Sequence, residues 1–184
     1  MKAKFSTTAL LVFLSITSFI IMLLLAKQTV MLQKAEEQAK LLKPGDEAYL
    51  FDAKDINDNN IKITKKTTAV LIFYSATCGA CQRKNHFWEE LYEKYGTKIT
   101  FVGISINSPR KIKAFVQRYG LTFPVIHDKD GYFMQKYKIK WVPSLVLVSN
   151  GKIVFCQKYL QETSEAVESI SVLINEITNN GVEK

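Results

Sequence analysis

Hydrophobic positions along this chain follow two regimes. Across residues 5–26 a mostly apolar run carries no charged side chain, which meets the roughly 20 residues a helix needs to span a bilayer. Beyond it, apolar residues recur in short blocks and at helical spacing, as in a folded domain. Residues 29–43, with Val30, Leu32, Ala35, Ala39 and Leu42 partly periodic, read as a helical stalk that Pro44-Gly45 ends. Tyr49-Leu50-Phe51 and Ile61-Lys62-Ile63 flank the turn-rich Asp58-Asn59-Asn60 and predict a hairpin or two short strands. The unbroken run Ala69-Val70-Leu71-Ile72-Phe73-Tyr74 predicts a buried strand.

The second half alternates in the same way. Phe87, Trp88, Leu91, Tyr92 and Tyr95 mark a helix that Gly96 breaks, and residues 99–104 a second buried strand. Ser108-Pro109 predicts a helix start, with Ser as N-cap and Pro in the first position; Ile112, Phe115, Val116 and Tyr119 share its inner face and Gly120 ends it. Residues 123–126 read as a short extended piece and 132–137 as a short helix. Strands at 144–148 and 152–157 are joined by the hairpin signal Asn150-Gly151. Val167, Ile170, Ile174 and Ile177 line a last helix. The order is β, α, β, α, β-hairpin, α. Strand–helix–strand alternation implies parallel strands, and the hairpin adds an antiparallel pair, so the class is α/β.

Charge and cysteine content narrow the function. The net charge of +8 is spread along the 184 residues without a dense basic stripe or a nucleic-acid motif, so no nucleic-acid partner is expected. Three cysteines are too few for a disulfide scaffold. Lys2 and Lys4 precede the apolar run and favour a cytoplasmic N-terminus. The expected organisation is a cytoplasmic segment 1–4, a transmembrane signal anchor 5–26, a stalk 27–43 and a folded domain 44–184 on the far side of the membrane, where disulfides persist. A cleaved signal peptide competes, but Leu23-Leu24-Leu25-Ala26-Lys27 is a poor small-residue cleavage site. The run has no cysteine near its end to carry a lipid anchor.

The candidate chemistry sits in Cys78-Gly79-Ala80-Cys81, between the 69–74 strand and the helix of Trp88. A helix start presents unpaired N–H groups and the positive end of the helix dipole, which stabilise a thiolate. Cys81, one turn further in, lies on the same face and can close a disulfide with Cys78.

These residues resemble the thioredoxin superfamily, and most closely its membrane-anchored TlpA/ResA-like thiol–disulfide oxidoreductases. The resemblance rests on Phe73-Tyr74-Ser75-Ala76-Thr77-Cys78-Gly79-Ala80-Cys81, Gly120-Leu121-Thr122-Phe123-Pro124-Val125, Trp141-Val142-Pro143-Ser144-Leu145-Val146-Leu147-Val148 and Asn150-Gly151, in that order. It implies a thioredoxin-like fold, a central mixed β-sheet flanked by helices. It implies Cys78 as the attacking thiol, Cys81 as the resolving thiol and Pro143 as a cis-proline beside them. The Val142 backbone would bond an extended substrate as an added strand does, with Thr77 and Trp141 as further substrate contacts. No cofactor is implied, because the sulfur pair carries the electrons.

Implied partners are exported proteins with disulfides, apocytochrome c among them, and a transmembrane electron donor if the protein is a reductase. The implied location is the inner (cytoplasmic) membrane, single-pass, with the domain facing the periplasm or the outside. The absence of His between the cysteines tilts the reading toward reductase. Four positions depart from the family. Ile72 replaces a buried Asp, Lys84 replaces the acid of cytochrome-maturation members, Ala80 replaces a frequent Pro, and Tyr159 replaces Gly.

Two other functions fit part of the pattern. Cys-x-x-Cys is half a zinc site, completed by Cys156, His86 or His127; a copper carrier using Cys78, Cys81 and His127 is its sharpest form. A peroxiredoxin-like peroxidase is the other, since Ser75 lies three residues before Cys78, although Leu71 stands where that family has proline. Cys156 is expected to pack in its strand as a small hydrophobe.

Overall fold

A computed structural model describes residues 7–39, 42–158 and 164–180. The chain divides into two compact units, Met1–Leu41 and Leu42–Lys184. The first contains helix α1 (Thr7–Ala39). With no Gly or Pro between Lys27 and Ala39, nothing breaks the backbone, so apolar run and stalk form one helix. Its stretch Leu10–Gln33, of mean hydropathy 2.4 and with no buried residue, is long and apolar enough to cross a membrane. Phe5, the expected start of the span, lies outside the described residues.

The second unit begins at Leu42, which is buried among Ala48, Phe51 and Ile63 rather than belonging to a stalk. Strands β1 (Phe51–Lys54) and β2 (Asn60–Ile63) pair antiparallel as the predicted hairpin, a sheet of their own. Next come β3 (Ala69–Tyr74), α2 (Gly79–Tyr95), β4 (Thr100–Ser105), α3 (Pro109–Tyr119), β5 (Val125–His127), α4 (Tyr132–Lys136), β6 (Ser144–Ser149), β7 (Lys152–Lys158) and α5 (Ser164–Asn180). The central sheet has the order β5-β4-β3-β6-β7. β3, β4 and β5 run parallel, and β6 and β7 add antiparallel pairs, which makes the predicted mixed sheet.

β3 lies between β4 and β6 with all six residues buried, which is why its sequence shows a continuous apolar run and no alternation. Its side chains still alternate between two cores. Val70, Ile72 and Tyr74 join Trp88, Leu91, Phe115 and Ile170 on one face. Ala69, Leu71 and Phe73 join Val146, Ile126 and Tyr137 on the other. Ile170 and Ile174 of α5 are fully buried as expected, and Ile177 packs against them; the side chain of Val167 lies outside the described residues.

Turn chemistry explains the connections. Asn150 and Gly151 have φ of 53° and 73° between the paired Ser149 and Lys152, the double left-handed turn that an Asn-Gly hairpin favours. Gly120 ends α3 in the left-handed conformation, and its N–H donates to the Val116 carbonyl. Ser108 holds the cap position of α3, but its hydroxyl makes no cap bond.

Candidate active site

β3 ends at Tyr74, and the chain turns through Ser75-Ala76-Thr77 before α2 begins. Two side chains hold that turn. The Asn107 side-chain oxygen, just past β4, accepts from the Ala76 N–H at 2.7 Å, the Ser75 hydroxyl at 3.0 Å and the Ser105 hydroxyl at 3.2 Å. Gln82 of α2 donates to the Ala76 carbonyl at 3.2 Å. Sequence reasoning missed Asn107. Its signal was a polar residue two positions past the end of the second parallel strand, the end of such a sheet where sites collect.

Cys78 is the N-cap of α2, with extended backbone, and its sulfur accepts the Cys81 N–H at 3.4 Å. A sulfur thus stands where an Asp or Ser oxygen usually caps a helix. Cys78 is half-buried and Cys81 fully buried, and both are free thiols. Burial pushes the Cys81 thiol up to about 12, with the Cys78 side chain adding in the same direction; backbone N–H groups of Ser75 and Cys81 oppose it only in part. Unequal exposure makes the two thiols chemically unequal.

The loop before β6 closes the site. The Val142–Pro143 peptide bond is cis, as the resemblance implies. The Cys78 sulfur lies 3.8 Å from the Val142 carbonyl and donates to it across 64 residues of sequence. The structure therefore brings Cys78, Cys81 and Val142 together, with buried Pro143 next in the chain. Trp141 is 39% exposed and its carbonyl accepts from the Ser144 hydroxyl at 2.7 Å. Thr77 is exposed, and its hydroxyl meets that of Ser75 at 3.0 Å.

The departures from the family pattern are resolved unevenly. Ile72 is fully buried in the core shared with Cys81, so no acid occupies that position. Lys84, one turn beyond Cys81, is buried rather than solvated. Tyr159 lies outside the described residues.

The metal readings lose their donor set. His86 is exposed on α2, His127 ends β5, and among the described residues no three His, Cys, Asp or Glu side chains gather to hold an ion. The Ser75 hydroxyl of the peroxidase reading donates to Asn107. Cys156, on β7, is half-buried rather than fully buried, and its thiol donates to the Leu42 carbonyl at 3.2 Å on the face opposite Cys81.

Known proteins agree with this geometry. Residues 44–157 match the AhpC/TSA family. The thiol-disulfide oxidoreductase ResA of Halalkalibacterium halodurans is 29% identical over 115 residues, 60% of this chain and 65% of that protein. ResA of Oceanobacillus iheyensis is 30% identical over 118 residues, 59% of this chain and 62% of that protein. The chain thus matches just under two thirds of the length of these relatives.

Among solved structures, a secreted Mycobacterium tuberculosis disulfide oxidoreductase described as homologous to E. coli DsbE superposes with a TM-score of 0.58 at 21% identity, over 68% of this chain and 95% of that one. The thioredoxin domain of a thiol-disulfide oxidoreductase from Bacteroides vulgatus gives 0.63 at 20% identity, over 73% and 99%. These likenesses establish the thioredoxin-like fold. The family match takes in both cysteines of the pair and the Val142–Pro143 loop, and the chain belongs to the AhpC/TSA family.

Proposed function

We propose that this protein is a membrane-anchored thiol–disulfide oxidoreductase that reduces disulfides of exported proteins by dithiol exchange at Cys78 and Cys81. The observation that carries the reading is the asymmetric pair: a half-buried sulfur capping a helix, one turn from a buried thiol held protonated. The names of the ResA relatives support the same chemistry.

The Cys78 thiolate attacks one sulfur of the substrate disulfide. The substrate S–S bond breaks, a mixed disulfide forms, and the released substrate thiolate takes up a proton. Cys81 then loses its proton and attacks the Cys78 sulfur. The second substrate thiolate leaves and is protonated, and the protein holds the Cys78–Cys81 disulfide. Two electrons have passed to the substrate, and a membrane electron donor restores them. Burial keeps Cys81 neutral until the mixed disulfide brings an electrophilic sulfur against it. The exposed Trp141, Thr77 and the Val142–Pro143 backbone form the docking edge for an extended substrate segment. The apolar stretch of α1 anchors the domain in the membrane.

Replacing Cys81 by Ala in the full chain removes the resolving step. The tagged variant is expected to accumulate mixed disulfides with exported proteins in cells, and Cys78→Ala to accumulate none. Equal capture by the two variants overturns the assigned roles. The potential of the pair decides direction: about −270 mV marks a reductant, and about −120 mV an oxidant that installs disulfides.

A further inference from the structure

The end of the central sheet remote from the cysteines holds a groove of about 960 Å³. It opens where β3 and β4 start and where the β6–β7 hairpin turns, so the length of β3, about 20 Å, separates it from Cys78. Lys66, Lys98 and Lys152 line it, all exposed, and no acidic residue does. Among the described residues none of the three has a carboxylate partner. The nearby Asp46 carboxylate is engaged by Lys138 at 3.5 Å. The floor is apolar, from buried Ile99 and Ile153 and half-buried Ile177. Glu47 faces Lys152 across an isolated antiparallel bridge, while Lys66 and Lys98 have no acid opposite them; this excess of positive charge above an aliphatic floor matches a ligand with a phosphate next to hydrocarbon.

The rim names where such a ligand would come from. Pro44 and Gly45 form part of the groove wall. Pro44 lies eleven residues past Gln33, the end of the apolar stretch, a reach of at most about 38 Å even fully extended. We propose that this groove binds the headgroup of an anionic phospholipid at the membrane surface. The inference rests on the membrane-anchor reading above. A free phosphate ester shares the charge but not the hydrocarbon that the isoleucine floor would meet.

The test uses the full chain in lipid nanodiscs of phosphatidylcholine alone or with added phosphatidylglycerol. Acetylation of individual lysines by an amine-reactive ester is followed by mass spectrometry. Lys66, Lys98 and Lys152 are expected to react about tenfold more slowly in the anionic discs, while Lys113 of α3 reacts equally in both. High salt should erase the difference. In the Lys98→Gln chain, protection of Lys66 and Lys152 should need about fivefold more anionic lipid, the contribution of one lysine near a charged surface. Equal labelling in both disc types overturns the groove and leaves the anchor standing. Equal protection by inorganic phosphate in neutral discs overturns the lipid as occupant. A chain that does not co-elute with discs overturns the anchor and this proposal together.

Discussion

The two faces of the central sheet are built from the same strands and differ in how their buried polar groups are treated. On the face covered by α2, α3 and α5, the Tyr74 hydroxyl and the Trp88 indole N–H have no hydrogen-bond partner among the described residues, and the Cys81 thiol is buried in the same core. On the other face, the Tyr137 hydroxyl donates to the Tyr49 carbonyl at 2.7 Å. There Asp128, 1% exposed, accepts the N–H groups of Phe133 and Met134 at 2.9 and 3.0 Å. Cys156 likewise has the Leu42 carbonyl. The second face satisfies these polar groups; the first leaves Tyr74 and Trp88 dry in the core that holds the thiol, while its Tyr95 hydroxyl donates to the Ser171 carbonyl at 3.3 Å. A thiol in such a place keeps its proton because burial penalises the thiolate more than the backbone N–H groups nearby compensate it. The second face is architecture, and the first tunes a sulfur.

Cysteine chemistry is the strongest way to break that contrast. With Cys81 at about 12, its thiolate share at pH 8 is about one in ten thousand, against about a quarter for a free cysteine. In Cys78→Ser protein, iodoacetamide should therefore alkylate Cys81 about a thousandfold more slowly at pH 8 in the folded state than after unfolding. Comparable rates would mean that the dry face does not hold the proton. The sign for stability follows. The folded-state value lies above the unfolded one, so this contribution is complete below about pH 9 and is lost as pH rises through 12. The reduced protein should lose more stability over that window than Cys81→Ala, as urea titrations at each pH would show.

Packing is the next lever. Trp88 is fully buried on the first face, with its ring 5.7 Å from that of Tyr74. Trp88→Ala should cost about 3–5 kcal/mol in urea unfolding. A loss below about 1 kcal/mol would show that this face is not the closely packed one. The smallest expected effect is the sharpest for the comparison. Tyr137→Phe removes a satisfied buried hydroxyl and strands the Tyr49 carbonyl, and should destabilise by about 1–2 kcal/mol. Tyr74→Phe removes an unpartnered hydroxyl and should be neutral or stabilising by up to about 1 kcal/mol. Equal losses at the two tyrosines would erase the difference between the faces.

Much of the molecule could be read from the chain itself. The run of residues 69–74 announced a buried strand because a strand between two neighbours needs apolar side chains on both faces. Gly96 and Gly120 stopped helices, Asn150-Gly151 turned the hairpin, and Cys78-x-x-Cys81 marked a helix start. All of these depend on bonds and burial within a few residues. Element ends were less legible: β4 runs from 100 to 105 and β7 to 158, because hydrogen bonding to neighbouring strands sets ends that hydrophobicity does not see.

What lay beyond the sequence were individual side-chain contacts between distant segments. Asn107 gripping the Ser75–Ala76 turn and Leu42 meeting Cys156 join segments 31 and 114 residues apart, whereas the resemblance already implied the Val142–Pro143 loop beside Cys78. The gathering of Lys66, Lys98 and Lys152 around one groove is of the same kind. The parallel register of β3 with β4 and its antiparallel register with β6 bring these segments together, and register is chosen by the packing of the whole core. The sequence by itself determined the elements and placed the Cys78-x-x-Cys81 pair at a helix start. The tertiary structure alone decided which thiol is buried and protonated and which polar group holds the turn, because desolvation and hydrogen bonding at a point in space depend on residues that the chain keeps far apart.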